Sequence, residues 1–229
     1  MAFLADKFEK IQQQLAPYNA QLIAVSKTKP VEDLQEAYQH GIRDFGENYV
    51  QELTAKEIAL PKDIRWHFIG HLQTNKVKYI APFVHLIHGT DSLKLLMEIN
   101  KQGKKYQRRI NCLLQVYISK DETKFGFDAK ELDELINHEL LNNAAAWSHV
   151  KVVGLMGMAT FTEDNDLIRA EFKNLKSLYD QYSSIKNECI CFDTLSMGMS
   201  ADYQFALEAG SNMVRIGSLL FGERSYTVK

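Results

Sequence analysis

The sequence of 229 residues predicts an α/β protein that forms a single (β/α)8 barrel of the TIM type, with an extra helix at its N-terminus. Three observations favour this fold. Short apolar runs rich in strand-forming residues alternate about eight times with segments of helical periodicity. The strands are continuously apolar, which is typical of a parallel sheet covered by helices on both faces. No linker or low-complexity segment interrupts the alternation, so we expect one domain over residues 1–229.

The first predicted element lies outside the eight-fold alternation. Apolar residues recur at three- and four-residue steps from Phe8 to Leu15, which indicates an amphipathic helix that ends near Pro17. The predicted strands then cover residues 22–25, 45–48, 66–69, 84–88, 110–118, 150–156, 192–195 and 213–216. The predicted helices cover residues 31–40, 49–59, 72–81, 93–100, 129–141, 167–185 and 201–209. Gly103 and Gly210 lie just beyond two of these helices, where a glycine C-cap is common.

An open, doubly wound parallel sheet is the alternative fold that the same alternation allows. A dinucleotide-binding version of that fold would carry a glycine-rich GxGxxG turn after the first strand. The first strand is followed instead by SKTKP, at residues 26–30. The barrel is therefore the prediction, and its closure places the last strand beside the first.

The charge and hydropathy of the chain restrict its partners. A formal net charge of -2 and a sequence pI of about 6.4 give no electrostatic basis for binding nucleic acid or an anionic membrane. The N-terminal residues lack the apolar run of a signal peptide, and no other run reaches membrane-spanning length. We therefore expect a cytoplasmic protein.

Neither the cysteines nor the histidines predict a metal site. Cys112, Cys189 and Cys191 have no usual zinc spacing and are expected to be core or surface thiols. His67 and His71 lie on either side of a strand end, and no third ligand accompanies them. We expect no bound metal.

Lys27 is the candidate for the chemistry because it follows the first strand directly. Ligands of parallel barrels bind at the carboxyl ends of the strands. The segments after the last two strands, 196–200 and 215–218, carry glycines and hydroxyls that suit a phosphate. A lysine that faces a phosphate predicts a Schiff base with a phosphorylated aldehyde. The amine must be neutral to react, and Lys29 and Arg215 are the cations expected to lower its pKa.

The alternation of side chains along the first strand agrees with this role. If Lys27 points into the mouth of the barrel, Ile23 and Val25 point inward as well. Leu22 and Ala24 then face the surrounding helices.

Six segments, in order along the chain, carry a resemblance to a known family. They are LIAVSKTKP at 22–30, FGENYVQE at 45–52, WHFIGHLQTNK at 66–76, KFGF at 124–127, SMGMSADY at 196–203 and VRIGS at 214–218. Together they resemble the pyridoxal phosphate homeostasis protein family, whose members are single-domain relatives of the alanine racemase barrel. The combination spans nearly the whole chain, which makes it far more specific than any one segment.

The resemblance implies that pyridoxal 5'-phosphate (PLP) is held as an aldimine on Lys27. It also implies that Arg215 faces the pyridine nitrogen and that Asn48 lines the pocket. The phosphate would lie near Ser200, Gly217 and Ser218. We also expect His67, near the end of a strand, to line the cofactor pocket. The segment KFGF departs from the small residue that is common before its glycine in the family, and Lys124 accordingly receives no role.

The implied function is PLP binding in vitamin B6 homeostasis, with little or no turnover and therefore no catalytic residues. The expected partners are PLP and apo PLP-dependent enzymes, and the expected assembly is a monomer or weak homodimer. Two alternatives stay open. One is a PLP enzyme similar to an amino-acid racemase, and the other is an aldolase that uses Lys27 without a cofactor.

Overall fold

A computed structural model of the chain describes residues 3–119 and 125–223. Eight parallel strands form a closed barrel in which each strand pairs with the next and the last pairs with the first. The strands are β1 (Gln21–Val25), β2 (Asp44–Glu47), β3 (Arg65–Phe68), β4 (Leu86–Thr90), β5 (Ile110–Gln115), β6 (Val150–Met156), β7 (Ile190–Met199) and β8 (Met213–Ile216). The helices are α1 (Ala5–Leu15), α2 (Val31–Gln39), α3 (Val50–Ala59), α4 (Val77–Ile80), α5 (Leu93–Lys105), α6 (Ala129–Glu134), α7 (Asn165–Tyr182), α8 (Tyr203–Glu208) and α9 (Ser218–Phe221). The predicted fold class is confirmed.

Helix α1 precedes the barrel, as predicted, and buries Ile11 and Leu15. The amide of Leu4 donates to the carbonyl of Leu220 at 2.8 Å, which joins the start of α1 to α9. The centroid of the Phe3 ring lies 5.9 Å from that of Phe221. The additional helix therefore packs beside α9, which follows the last strand of the barrel.

Strand β1 shows how side chains divide between the two faces of the barrel wall. Ile23 belongs to a small buried cluster inside the barrel, whereas Leu22 and Ala24 belong to the large core between strands and helices. The interior cluster comprises Ile23, Leu86, Leu113, Val153, Met156 and Met213. The predicted inward and outward faces of β1 are confirmed for these residues.

Strand β7 is longer than predicted and includes most of segment 196–200, for which the sequence predicts a loop. Gly198 explains the difference. Its φ is +96°, and a Cβ at this position would lie 2.9 Å from the Cα of Tyr203. The glycine thus lets the strand continue close beneath α8, with its register shifted relative to β8. The loop after β7 begins only at Ser200.

Several helices also differ from the prediction. The predicted helix 129–141 is α-helical only over α6 and continues as a π-helix at Leu135–Leu141. Helix α5 continues through Gly103 to Lys105, so Gly103 is not a C-cap. A Cβ at Gly103 would lie 2.4 Å from the carbonyl oxygen of His149, which means that this glycine allows the helix to approach the chain before β6. The predicted helix 72–81 is shorter, because a 3-10 turn at Thr74–Lys76 precedes α4.

Within residues 3–119 and 125–223, no helix combines the length and apolar character needed to cross a membrane. The same ranges contain no group of three or more His, Cys, Asp or Glu side chains that could hold a metal ion. Cys112, Cys189 and Cys191 are free thiols, and the first two are buried. Burial raises the pKa of Cys112 to about 12, so this residue is a protonated core thiol at neutral pH.

Candidate functional site

The C-terminal ends of the strands surround a cavity of about 470 Å³, which is the size of a typical small-molecule pocket. Val25, Ile69 and Met158 form part of its apolar wall. Six of the seven predicted cofactor-binding residues line it: Lys27, Asn48, Ser200, Arg215, Gly217 and Ser218. Closure of the barrel thus brings the turns after β1, β2, β7 and β8 to one place. We call this space the mouth cavity.

Lys27 lies in the turn between β1 and α2. The amide of Ser26 donates to the carbonyl of Gly46 at 3.0 Å, and the amide of Lys29 donates to the carbonyl of Ser26 at 3.1 Å. Thr28 has a φ of +64°, which is an uncommon conformation for a β-branched residue. These constraints on both sides fix the backbone that places Lys27 in the wall of the mouth cavity.

A buried ion-pair cluster lies beneath this turn. The ammonium of Lys56, on α3, donates to the carboxylates of Glu47 and Glu52 at 2.7 Å each. It also donates to the carbonyl of Ser26 at 2.8 Å. The hydroxyl of Ser26 donates to Glu47 at 2.6 Å, and the amide of Thr28 donates to Glu52 at 2.5 Å. Both sequence neighbours of the candidate lysine are therefore bonded to the cluster that Lys56 organises.

Two carboxylates share one ammonium in this cluster, and none of Glu47 is exposed to solvent. Burial raises the pKa of Glu47 to about 7, against the opposing effects of Lys56 and Ser26. The Oε2 atom of Glu47 has no hydrogen-bond partner among the described residues. A buried carboxylate of this kind depends strongly on the cation beside it.

The loops after β7 and β8 meet, as predicted. The amide of Gly217 donates to the hydroxyl of Ser200 at 3.3 Å, and Ser218 follows at the start of α9. A Cβ at Gly217 would lie 3.1 Å from the carbonyl oxygen of Val25, so the loop packs closely on β1. Two hydroxyls and a backbone amide are thereby gathered at one side of the mouth cavity, an arrangement that suits a phosphate.

Arg215, on β8, reaches the same cavity from inside the barrel. Its side chain donates to the carbonyl of Ser196 at 2.9 Å, to the hydroxyl of Ser196 at 2.7 Å and to the carbonyl of Gly157 at 3.0 Å. Burial lowers the pKa of Arg215 to about 10, which still leaves it a cation at neutral pH. The guanidinium is therefore a fixed donor at the mouth.

Lys29 also lines the mouth cavity but is engaged elsewhere. Its ammonium donates to the carbonyls of Phe221 at 2.6 Å and of Gly222 at 3.2 Å. These carbonyls lie at the end of α9, where a lysine commonly caps a helix. Lys29 thus ties the first loop of the barrel to the last helix, a role that the sequence analysis does not predict.

Comparison with known proteins places this site in a family. The family model described as the alanine racemase N-terminal domain matches residues 2–225. A pyridoxal phosphate homeostasis protein from Aquifex aeolicus is 42% identical over 208 residues, which are 90% of this chain and 88% of the relative. The human protein of the same name is 39% identical over an alignment of 238 positions that covers 96% of this chain and 85% of the relative. The chain belongs to the pyridoxal phosphate homeostasis protein family.

Solved structures agree with this assignment. PipY of Synechococcus elongatus, determined without PLP, has a TM-score of 0.87 at 32% identity and covers 95% of this chain and 99% of its own. The PLP-bound form of PipY has a TM-score of 0.83 over the same shares. Alanine racemase from Bartonella henselae has a TM-score of 0.69 at 16% identity over 57% of its own chain, and this match supports the barrel fold alone.

His67 is the predicted pocket residue that does not line the mouth cavity. Its side chain is completely buried, and its ring nitrogens lie 3.0 Å from Asp44 Oδ1 and 2.9 Å from His88 Nε2. The prediction for His67 is corrected, because the ring points into the barrel below the mouth. His71 lies at the surface, 2.9 Å from a carboxylate oxygen of Asp91, and Lys124 lies outside the described residues.

Lys56 is the main residue of the site that the sequence analysis misses. It lies on α3 in a segment that is part of no family motif quoted above. The signal that could have found it is its spacing from Leu53 and Leu60, since all three are buried and lie on the face of the helix that meets the barrel. A charged residue at such a position requires a buried partner, and Glu47 supplies it.

Proposed function

We propose that this protein binds PLP in the mouth cavity and functions in vitamin B6 homeostasis, with Lys27 as the residue that forms the aldimine. The observation that carries the proposal is the meeting of Lys27 with Arg215 and the Ser200–Gly217 pair in one cavity. PipY, which has been solved with PLP bound and is 32% identical, supports the same ligand here.

The polar groups of the mouth cavity fit PLP. The side-chain oxygen of Asn48 is buried, has no hydrogen-bond partner among the described residues and belongs to a residue that lines the cavity. Buried polar atoms in proteins are rarely left without a partner. A polar ligand that contacts Asn48 would satisfy this atom.

The aldehyde, the phosphate and the ring nitrogen of PLP would each have a counterpart in the protein. The amine of Lys27 would bond the aldehyde carbon with loss of water, while the hydroxyls of Ser200 and Ser218 and the amide of Gly217 would hold the phosphate. Arg215 donates to the ring nitrogen. Because Arg215 remains a cation, it keeps that nitrogen unprotonated, which makes the ring a weak electron sink when it is bound.

The visible spectrum of the purified protein with PLP tests the proposal. We expect an absorption band that borohydride removes, and a reduced adduct that peptide mapping assigns to Lys27. No visible band, or an adduct that maps to Lys29 or another lysine, would contradict the assignment. The same result would separate PLP binding from a cofactor-free aldolase, which has no such band before substrate is added.

Ser200→Ala is expected to weaken PLP but not unphosphorylated pyridoxal. A hydrogen bond to a charged group contributes about 1.5–3 kcal/mol, so the Kd for PLP should rise roughly 10- to 100-fold. The matched control is Thr162→Val, which removes a hydroxyl of the same cavity outside the two phosphate loops. Equilibrium titration of each variant with both ligands measures the effect. Equal losses for PLP and pyridoxal would mean that the phosphate lies elsewhere.

We also propose that the protein has little or no catalytic turnover. Racemisation needs an acid and a base on opposite faces of the substrate carbon. The curated relatives are named as homeostasis proteins, and this chain matches alanine racemases over only 57–58% of the racemase chains. The part of those racemases outside the match is not represented in the barrel described above.

Exchange of the α-hydrogen of L-alanine in deuterated water tests for turnover. We expect the PLP-loaded protein to exchange the hydrogen no faster than free PLP at the same concentration. Lys27→Ala, also mixed with PLP, is the control. Rapid exchange with inversion in the wild type, abolished by Lys27→Ala, would establish an enzyme similar to a racemase.

The proposed recipients of the cofactor are apo PLP-dependent enzymes, because an imine on Lys27 can be displaced by another lysine amine. We propose that the protein works as a monomer or weak homodimer. Every residue assigned above to the PLP site comes from one chain.

A further inference from the structure

A continuous line of hydrogen bonds runs through the barrel from Asp44 to Arg215. His67 Nε2 lies 3.0 Å from Asp44 Oδ1, and His67 Nδ1 lies 2.9 Å from His88 Nε2. His88 Nδ1 lies 3.2 Å from Ser196 Oγ, and Ser196 Oγ accepts from Arg215 Nη1 at 2.7 Å. We call these five residues the interior chain. Neither of its histidines belongs to the PLP site proposed above.

The two ends of the interior chain lie at opposite ends of the barrel. Arg215 lines the mouth cavity. Asp44 lines a separate cavity of about 250 Å³ together with Arg65, next to the starts of β1 and β3. Arg65 Nε donates to Asp44 Oδ1 at 2.7 Å. The interior chain therefore connects a carboxylate at one end of the barrel with a guanidinium at the other.

The guanidinium end is compatible with one direction of hydrogen bonding along the whole interior chain. An arginine can only donate, so Ser196 Oγ accepts from Arg215, and its own proton is available for donation to His88 Nδ1. His88 then carries its proton on Nε2 and donates to His67 Nδ1. His67 in turn carries its proton on Nε2 and donates to Asp44.

The carboxylate end sets this direction. Burial alone would raise the pKa of Asp44, but hydrogen bonds from His67 and Arg65 hold that pKa well below its ordinary value. Asp44 is therefore an acceptor for His67 Nε2–H, and the same tautomers follow in reverse order. Burial also lowers the pKa of both His67 and His88, which agrees with two neutral rings.

The charged and titratable groups around the two rings are consistent with this state. His85 is the third histidine nearby, with its ring centroid 5.3 Å from that of His67. Arg65 approaches from the Asp44 end and Arg215 from the mouth, and both are cations that disfavour protonation of the rings. Asp44 is the carboxylate that contacts His67, and it is already paired with Arg65.

We propose that His67, His88 and Ser196 are positioning residues that fix the donor geometry of Arg215 and make it depend on Asp44 at the far end of the barrel. Each bond dipole in the interior chain points the same way, between a cation and an anion, and aligned hydrogen bonds strengthen one another. Reversal of the bond between His88 and Ser196 would make Ser196 Oγ accept from both His88 and Arg215, and the bond to the guanidinium would lose the cooperative strengthening. The effect of this geometry on the bond between Arg215 and the pyridine nitrogen of PLP rests on the proposed function.

The tautomers of the histidines in the ligand-free protein provide the first test. Nitrogen-15 NMR of the full chain at pH 7 is expected to show His67 and His88 protonated on Nε2 alone, with single histidine variants used for assignment. An Nδ1–H tautomer or an imidazolium at either residue would overturn the proposal. This measurement needs no PLP, so it tests the direction of the hydrogen bonds in the interior chain even if the proposed function is wrong.

Asp44→Asn provides the second test, with Asp63→Asn as the matched control. The donors of Arg65 should attract the oxygen of the introduced amide and turn its NH2 group towards His67, which reverses the interior chain. We expect an Nδ1–H population at His88, the second residue along the interior chain from the substitution, and a Kd for PLP raised roughly 3- to 10-fold. Asp63 also accepts from an arginine, Arg43, but has no bond to the histidines.

The control variant Asp63→Asn is expected to change neither the tautomers nor the affinity for PLP. Unaltered tautomers at His88 in Asp44→Asn would refute the coupling between the two ends of the barrel. Altered tautomers with an unchanged Kd for PLP would refute the claim that the interior chain positions Arg215 for the ligand. If Asp44→Asn does not fold, the tautomers of the wild-type protein still decide the direction of the interior chain.

Discussion

Lys27→Ala is expected to abolish the borohydride-trapped PLP adduct and to raise the Kd for PLP by roughly a hundredfold or more. The amine is the group proposed to bond the aldehyde, and no contact with the phosphate or ring replaces a covalent bond. The free energy of unfolding should change by less than about 1 kcal/mol, because the half-buried Lys27 side chain contributes little to the core. Absorption spectra, mass spectrometry and urea denaturation measure these three quantities.

Lys29→Ala is the matched control for this experiment, since Lys29 lies two residues away and lines the same cavity. Its ammonium bonds the carbonyls of Phe221 and Gly222, so its loss should lower stability while the adduct on Lys27 is retained. The opposite pattern, with the adduct lost in Lys29→Ala and kept in Lys27→Ala, would show that the wrong lysine has been assigned.

Lys56→Met is expected to destabilise the protein by about 3–5 kcal/mol, which is the usual cost of breaking a buried ion pair by removing one partner. The substitution leaves Glu47 and Glu52 without their shared cation and removes one of the two donors to the carbonyl of Ser26. The turn that carries Lys27 loses its support at the same time. Chemical denaturation measures the stability, and PLP titration should show a weaker site.

Two further variants make this prediction specific to the buried cluster. Lys62→Met, just after α3, removes an exposed lysine that pairs with Glu57, and it should change stability little. The double variant Lys56→Met with Glu47→Gln should recover part of the lost stability, because the glutamine carries no buried charge. If Lys56→Met and Lys62→Met prove equally mild, the cluster does not support the turn.

The barrel and most of its mouth could be predicted because they depend on regularities of the chain. The alternation of Leu22, Ile23 and Ala24 follows from strand geometry, and the structure confirms it. The meeting of Ser200 with Gly217 follows from the order of strands in a closed barrel. Strand alternation and strand order can both be predicted without knowing which side chains touch.

The features that escaped prediction depend on contacts between segments that are distant in sequence. Gly103 resembles a helix stop but serves the approach of α5 to His149. The alternation in β3 directs His67 inward, yet only the packed barrel shows that its nitrogens meet Asp44 and His88 rather than the mouth. Lys56 looks like an ordinary helical lysine until Glu47 is placed beside it.

The pairing of β1 with β8 has a consequence for the biosynthesis of this protein. Lys29 and Phe221 are hydrogen-bonded although they are 192 residues apart, and Lys27 lines the same cavity as Gly217 and Ser218 across this seam. During translation Lys27 leaves the ribosome long before Gly217 and Ser218, which follow β8. A chain that stops before β8 therefore lacks this side of the mouth cavity, and the proposed PLP site is assembled only after β8 has been synthesised.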